Sequence, residues 1–276
     1  MVAIDDRFIQ AEPVSRFEFK INSEATILKR STPWLRCRPT DGPPRMRLFC
    51  LPHAGGGSIA FQRWSATLPA SVQVCSVMLP GRETRISEPL FTEIDPLLDA
   101  MTDELCPWLD TPYAIFGHSM GALLAFEWVR RLRQEERTLP QWLFLSGRRS
   151  PDVPDNATTL HLLSDRDFVE ELTRRFDGIP PEILQNDEHM SIYLPILRAD
   201  VSVVESYSYY EGEPLDCPIT LFYGVDDRSV TWDQMVAWKR HTKRQCTFQF
   251  FPGGHFYPQQ PLLQVISATL HTLNPC

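Results

Sequence analysis

Phe116-Gly117-His118-Ser119-Met120-Gly121 follows a short apolar run, Tyr113-Ala114-Ile115-Phe116, and opens an amphipathic one from Ala122 to about Arg133. That order predicts a strand, a sharp turn and a helix. A serine flanked by glycines at such a junction has the form of a nucleophile elbow. The strained turn lifts the hydroxyl clear of the sheet, and neighbouring positions have almost no room for side chains. The N-terminus of the following helix adds unpaired N–H groups and a positive dipole end where an oxyanion would sit.

Working outward, Arg47 to Pro52, Val72 to Leu79, Gln141 to Gly147, Ile219 to Gly224 and Thr247 to Phe251 are further apolar runs of strand length. Helical spacing separates them, over about Phe61 to Leu68, Asp95 to Leu109 and Gln260 to Leu273. Strands apolar on both faces, alternating with helices, predict an α/β fold with a mostly parallel sheet covered on both sides. Residues 1–45 differ: they are charged, carry Pro33, Pro39, Pro43 and Pro44, and offer one alternating piece, Phe17 to Ile21, that could add an edge strand. They are expected to be an N-terminal extension to a domain spanning 46–276. Between about 150 and 210 strand character disappears, and amphipathic pieces at Asp167 to Phe176 and His189 to Tyr207 predict a helical insertion over the C-terminal strand ends, a lid.

A chain of 276 residues with 43% hydrophobic content suits one large domain rather than two. Its net charge of −8 and lack of any Lys/Arg block speak against nucleic acid or an anionic membrane as partner. No apolar run nears the roughly 20 residues of a membrane helix, and Met1 to Gln10 lacks the apolar core of a signal peptide, so a cytoplasmic protein is expected. Seven cysteines without C-x-x-C spacing, two of them in strand-like runs, are expected to be free thiols. No cofactor or metal is expected.

A serine hydroxyl is a weak nucleophile at neutral pH; it needs a base, and the base needs an acid to orient it. His255, on Pro252-Gly253-Gly254-His255-Phe256 just past the last strand, is the expected base. His118 is expected to pack structurally, His53 to be a loop residue able to reach substrate, and His161, His189, His241 and His271 to lie on the surface or in the insertion. For the acid there are three contenders: Asp227, three residues after Gly224; its neighbour Asp226; and Asp152, after the preceding strand. Asp227 is preferred: it stands in the form G-x-x-D-x-x-V, where Val230 can turn back into the core, whereas Asp152, five residues past Gly147, is too far for a strand-end position; serine, aspartate, histidine is the chain order expected of this fold. The run His53-Ala54-Gly55-Gly56-Gly57 after the first core strand lets the backbone approach a reacting carbonyl, which a second oxyanion donor requires.

Six motifs together resemble the type II thioesterases, stand-alone editing enzymes of nonribosomal peptide and polyketide synthesis in the α/β-hydrolase superfamily. They are Leu51-Pro52-His53-Ala54-Gly55-Gly56-Gly57, Leu79-Pro80-Gly81-Arg82-Glu83, Gly117-His118-Ser119-Met120-Gly121, Ser146-Gly147-Arg148-Arg149, Leu197-Arg198-Ala199-Asp200 and Pro252-Gly253-Gly254-His255-Phe256. The resemblance covers residues 47 to about 260 and implies an α/β-hydrolase fold. It implies hydrolysis of acyl or aminoacyl groups from phosphopantetheine arms of carrier proteins; a monomer is expected. It also implies Ser119 as nucleophile, Asp227 as acid, His255 as base, and the N–H groups of Ala54 and Met120 as oxyanion donors. A medium-chain fatty acyl thioesterase, a small-molecule serine esterase and a non-catalytic protein of the same fold are the alternatives.

Overall fold

The computed structural model describes residues 31–154, 159–176, 179 and 184–273. The chain divides into two compact units, 1–31 and 32–276, and the second contains the sheet, the helices and every candidate site residue. The expected edge strand at Phe17 to Ile21 lies outside the described residues.

Seven strands form one sheet in the order β1-β3-β2-β4-β5-β6-β7. They are β1 (Leu35–Cys37), β2 (Met46–Leu51), β3 (Val72–Val77), β4 (Tyr113–His118), β5 (Trp142–Ser146), β6 (Ile219–Gly224) and β7 (Cys246–Phe251). Strand β1 runs antiparallel to β3, and every other pairing is parallel. The expected extension therefore ends too late: β1 and the buried Trp34 belong to the sheet unit, whose boundary falls at residue 32 rather than 46. A three-residue strand carrying Arg36 and flanked by Pro33 and Pro39 is too short to show a period-2 pattern.

Alternation along the strands explains how one sheet supports two cores. Met46, Leu48 and Cys50 of β2 point into a layer completed by Phe61, Trp64 and helix α5 (Gln259–Leu273). Phe49 and Leu51 point the other way, against α1 (Ile94–Leu105) and α2 (Met120–Gln134). Both faces are buried, as a parallel sheet requires. The helix expected over Phe61 to Leu68 is instead two 3₁₀ turns, Ser58–Phe61 and Trp64–Ala66. Apolar residues three apart bury equally well on a 3₁₀ turn, so periodicity cannot separate the two forms over so short a span. The six cysteines among the described residues are free thiols.

The insertion between β5 and β6 contains α3 (Asp165–Phe176) and α4 (Asp187–Glu205) and has a small core of its own, with Leu160, Phe168, Leu172, Leu197 and Val201. Among the described residues no helix is long and apolar enough to cross a membrane.

Candidate active site

The chain reverses direction across the sheet after β3, which forms next to β2 on one side, and β4 then pairs with β2 on the other. Open α/β sheets keep their ligands at such a switch point, outside the C-terminal strand ends. Ser119 sits there, between β4 and α2, at φ 55° and ψ −113°, a left-handed backbone that non-glycine residues rarely adopt. The strain is tolerated because the turn is held on every side. The Ser119 N–H donates to the Ser146 carbonyl at 2.8 Å, and a Cβ on Gly117 would overlap the Gly121 carbonyl. A Cβ on Gly121 would in turn overlap the Leu51 carbonyl, so β4 and α2 could not approach each other or β2. Met120 is the first helical residue, and its N–H has no partner within the helix.

His255, on the loop after β7, is buried, and its Nδ1 lies 2.9 Å from Asp227 Oδ2. The Asp227 side chain is 1% exposed. Its Oδ1 accepts from the Ser229 N–H at 2.9 Å and the Ser229 hydroxyl at 2.6 Å. Burial pushes the Asp227 carboxyl up, but the hydrogen bond and charge of His255 and the bonds from Ser229 outweigh it and hold the pKa below the usual carboxylate value. The other two contenders are elsewhere. Asp226 is exposed, and Asp152 pairs with His241 Nε2 at 2.9 Å and Arg240 at 2.7 Å. His241 is itself buried against Phe126, Trp238 and Tyr209, not on the surface as expected. A polar run around it in the sequence conceals that a carboxylate will meet it across the fold.

His118, next to Ser119 in the chain, is held by a hydroxyl and by neighbouring rings. Its Nδ1 lies 2.7 Å from the Ser146 hydroxyl, which also pairs with the Tyr257 hydroxyl, and its ring packs against those of His53, His255, Phe256 and Tyr257. Burial, reinforced by the neighbouring His255 and His53, depresses its pKa well below the ordinary histidine value. His53 is depressed to about 4, again by burial first and then by His255, with Arg82 adding to them. Both rings are neutral at pH 7.

A cavity of about 230 Å³ joins these groups: Ser119, Met120, His53, Ala54 and His255 border it on the sheet side. Leu160, Leu172, Phe176, Leu197 and Val201 of the insertion border it on the other. Phe176 packs edge-on against the His255 ring, with centroids 5.1 Å apart. In the glycine loop the Gly55 N–H is taken by Asp200 Oδ2 at 2.7 Å and the Gly56 N–H by the His53 carbonyl at 2.9 Å, so of these three neighbours Ala54 is the one whose amide remains for a ligand. Among the described residues no three His, Cys, Asp or Glu side chains converge as a metal site would require.

Three participants escape a residue-by-residue reading. Ser229 carries a local signal, since a side chain accepting from the backbone two residues on is the habit of Asp in turns. Arg82 and Asp200 each fall inside one of the six motifs, but nothing in either motif shows that they meet: 118 residues apart, they form a buried two-bond ion pair, Nη1–Oδ2 at 2.6 Å and Nη2–Oδ1 at 2.7 Å.

Parallel strands, a serine on a strained turn at the switch point and a histidine–carboxylate pair beyond the last strands define an α/β hydrolase. Residues 46–273 match the thioesterase domain family, and the chain belongs to that family, a group of hydrolases acting on thioesters. It is 41% identical over 241 residues to the gramicidin S biosynthesis protein GrsT of Aneurinibacillus migulanus, covering 87% of this chain and 94% of that one. The solved type II thioesterase BorB, from the borrelidin biosynthetic cluster, superposes with a TM-score of 0.79 at 37% identity over 87% of this chain and 99% of its own. YbtT, the type II thioesterase of the yersiniabactin pathway, does so with a TM-score of 0.72 at 33% identity over 87% and 96%.

Proposed function

We propose that this chain is an editing thioesterase that clears acyl or aminoacyl groups from the phosphopantetheine arms of carrier proteins, with Ser119 as nucleophile, His255 as base and Asp227 as orienting acid. His255 engages Asp227 through Nδ1, which leaves Nε2 to take the Ser119 proton as Oγ attacks the thioester carbonyl. The amides of Ala54 and Met120 receive the oxyanion. His255 returns the proton to the departing thiol sulfur, and a water deprotonated by the same ring then releases the acid from Ser119. Asp227 stays ionised throughout; its depressed pKa is the condition for that.

The observation that carries the reading is the shared cavity: the serine and the histidine of the buried histidine–carboxylate pair open into one space whose opposite wall is largely the apolar face of the insertion. An apolar wall tolerates many short acyl groups, since one methylene is worth only about 1–3 kcal/mol. Discrimination is therefore expected to come from the carrier protein. The test places one acyl group on a carrier-protein arm, on coenzyme A, on N-acetylcysteamine and on a simple alcohol. The carrier thioester should give the highest kcat/KM and the oxygen ester the lowest. Fastest turnover of the oxygen ester, without gain from the carrier, would make the protein a small-molecule esterase. Equal rates on carrier and coenzyme A, rising with chain length, would make it a fatty acyl thioesterase.

A further inference from the structure

The glycine loop is not held by its own strand. Asp200, on the insertion's helix α4, accepts from the Gly55 N–H with Oδ2 at 2.7 Å. Its carboxylate is bound by both terminal nitrogens of Arg82, and Arg82 Nη1 donates in addition to the Gly56 carbonyl at 3.1 Å. One carboxylate and one guanidinium thus fix a donor and an acceptor of consecutive loop residues. Both side chains are buried, Asp200 3% and Arg82 6% exposed. The residues flanking Arg82 both have positive φ: 76° at Gly81, which glycine adopts freely, and 50° at Glu83, where a side chain makes it strained. Glu83 braces the far end of the loop by accepting from the Ile59 N–H at 3.3 Å.

A buried ion pair adds little to stability by itself, because desolvating two charges offsets most of their attraction. What this one fixes is geometry. Tyr193, Leu197 and Asp200 stand at i, i+4 and i+7, one face of α4, and that face covers the loop. A Cβ on Gly55, whose φ is 73°, would overlap the Tyr193 hydroxyl and come within 3.1 Å of Leu197. The helix changes character at Pro195, where a backbone donor is missing. From Asp187 to Pro195 no residue is buried, whereas Ile196, Leu197, Ala199, Asp200, Val201 and Val203 are.

We propose that Arg82 and Asp200 are positioning residues that set the oxyanion loop from the insertion, so that Ala54 is correctly placed only while α4 beyond Pro195 is docked. Any lid motion that admits substrate then bends α4 on the N-terminal side of Pro195 and leaves the clamp closed. This inference rests on Ala54 serving as an oxyanion donor.

The test compares Arg82→Lys and Asp200→Asn with wild type in two assays: hydrolysis of a small acyl thioester, and the rate at which a fluorophosphonate phosphonylates Ser119. Lysine keeps the charge but loses the two-pronged grip, and asparagine keeps the shape but loses the charge. Displacing an oxyanion donor by a fraction of an ångström should lower kcat roughly 10- to 100-fold with KM changed less than about threefold, and phosphonylation should slow in parallel. A packing defect alone would lower the melting temperature without that split. Should Asp200→Asn fail to fold, Arg82→Lys decides the question by itself. Folded variants with kcat and phosphonylation both within about twofold of wild type would overturn the proposal. The phosphonylation arm stands even if no carrier thioester proves to be a substrate, so failure of the clamp and failure of the proposed function are told apart.

Discussion

Replacing each of the three contending aspartates by asparagine should give three different results, and the structure sets the size of each. At Asp227 the carboxylate accepts from Ser229 twice and faces His255 Nδ1 at 2.9 Å. An amide there retains the Ser229 contacts through its oxygen and turns its NH₂ toward Nδ1. The ring must then accept at Nδ1 and carry its proton on Nε2, the atom that has to take the proton of Ser119. The imidazolium also loses its counter-charge. Losses for this substitution in serine hydrolases are on the order of 10⁴ in kcat, about 5 kcal/mol of barrier. At Asp226 the side chain is exposed, and the contact that matters, its N–H to the Gly253 carbonyl at 2.9 Å, survives the change, so kcat should stay within about twofold. At Asp152 the loss falls on folding. The buried His241 and the exposed Arg240 lose their carboxylate, which should cost about 1–3 kcal/mol of stability, nearly all of it through His241, with kcat within about threefold. The assay is thiol release from an acyl thioester, paired with urea unfolding of each variant. If Asp227→Asn kept more than about a hundredth of wild-type kcat, or Asp226→Asn lost as much as Asp227→Asn, the assignment of the acid would be wrong.

Ser119→Ala should abolish turnover, by roughly 10⁴–10⁶, while leaving the held turn in place, so its melting temperature should stay close to that of wild type; residual activity above about a tenth would refute the nucleophile. Acid should unfold the protein through its neutral histidines. The folded pKa of His53 is about 4 against an ordinary value of 6.5, so between those values the unfolded chain binds more protons and stability falls as pH falls. For His53 that amounts to on the order of 3 kcal/mol by pH 4, and His118 adds in the same direction; urea unfolding of His53→Gln across this range should show a shallower fall than wild type. Asp227 contributes only lower down, its stabilisation being lost below the ordinary carboxylate pKa near 3.9. Chains beginning at Thr32 and at Met46 should differ sharply, since the second lacks β1 and Trp34, whose ring is 5% exposed and carries the Arg85 guanidinium 4.3 Å from its centroid; removal of such a residue typically costs about 3–5 kcal/mol. Equal melting temperatures for the two would show that β1 is dispensable.

What the chain determined by itself is whatever depends on short-range order. Strands β2 to β6 announce themselves because a strand buried on both faces must be mostly apolar, and the elbow does because Gly117 and Gly121 are the only residue type that lets β4 and α2 meet. Asp227 and His255 are legible because each sits just past a strand, and the sheet's parallel register carries both loops to one edge. Tertiary structure alone decided which of Asp226 and Asp227 turns inward, since adjacent residues on a loop have no period to tell them apart. It likewise decided that β1 completes the sheet edge, that His241 is a buried partner of Asp152, and that Asp200 of the insertion grips the glycine loop through Arg82. Each of these joins groups far apart in the chain whose attraction is electrostatic and directional, and a charged residue awaiting such a partner looks, in sequence, like one awaiting water.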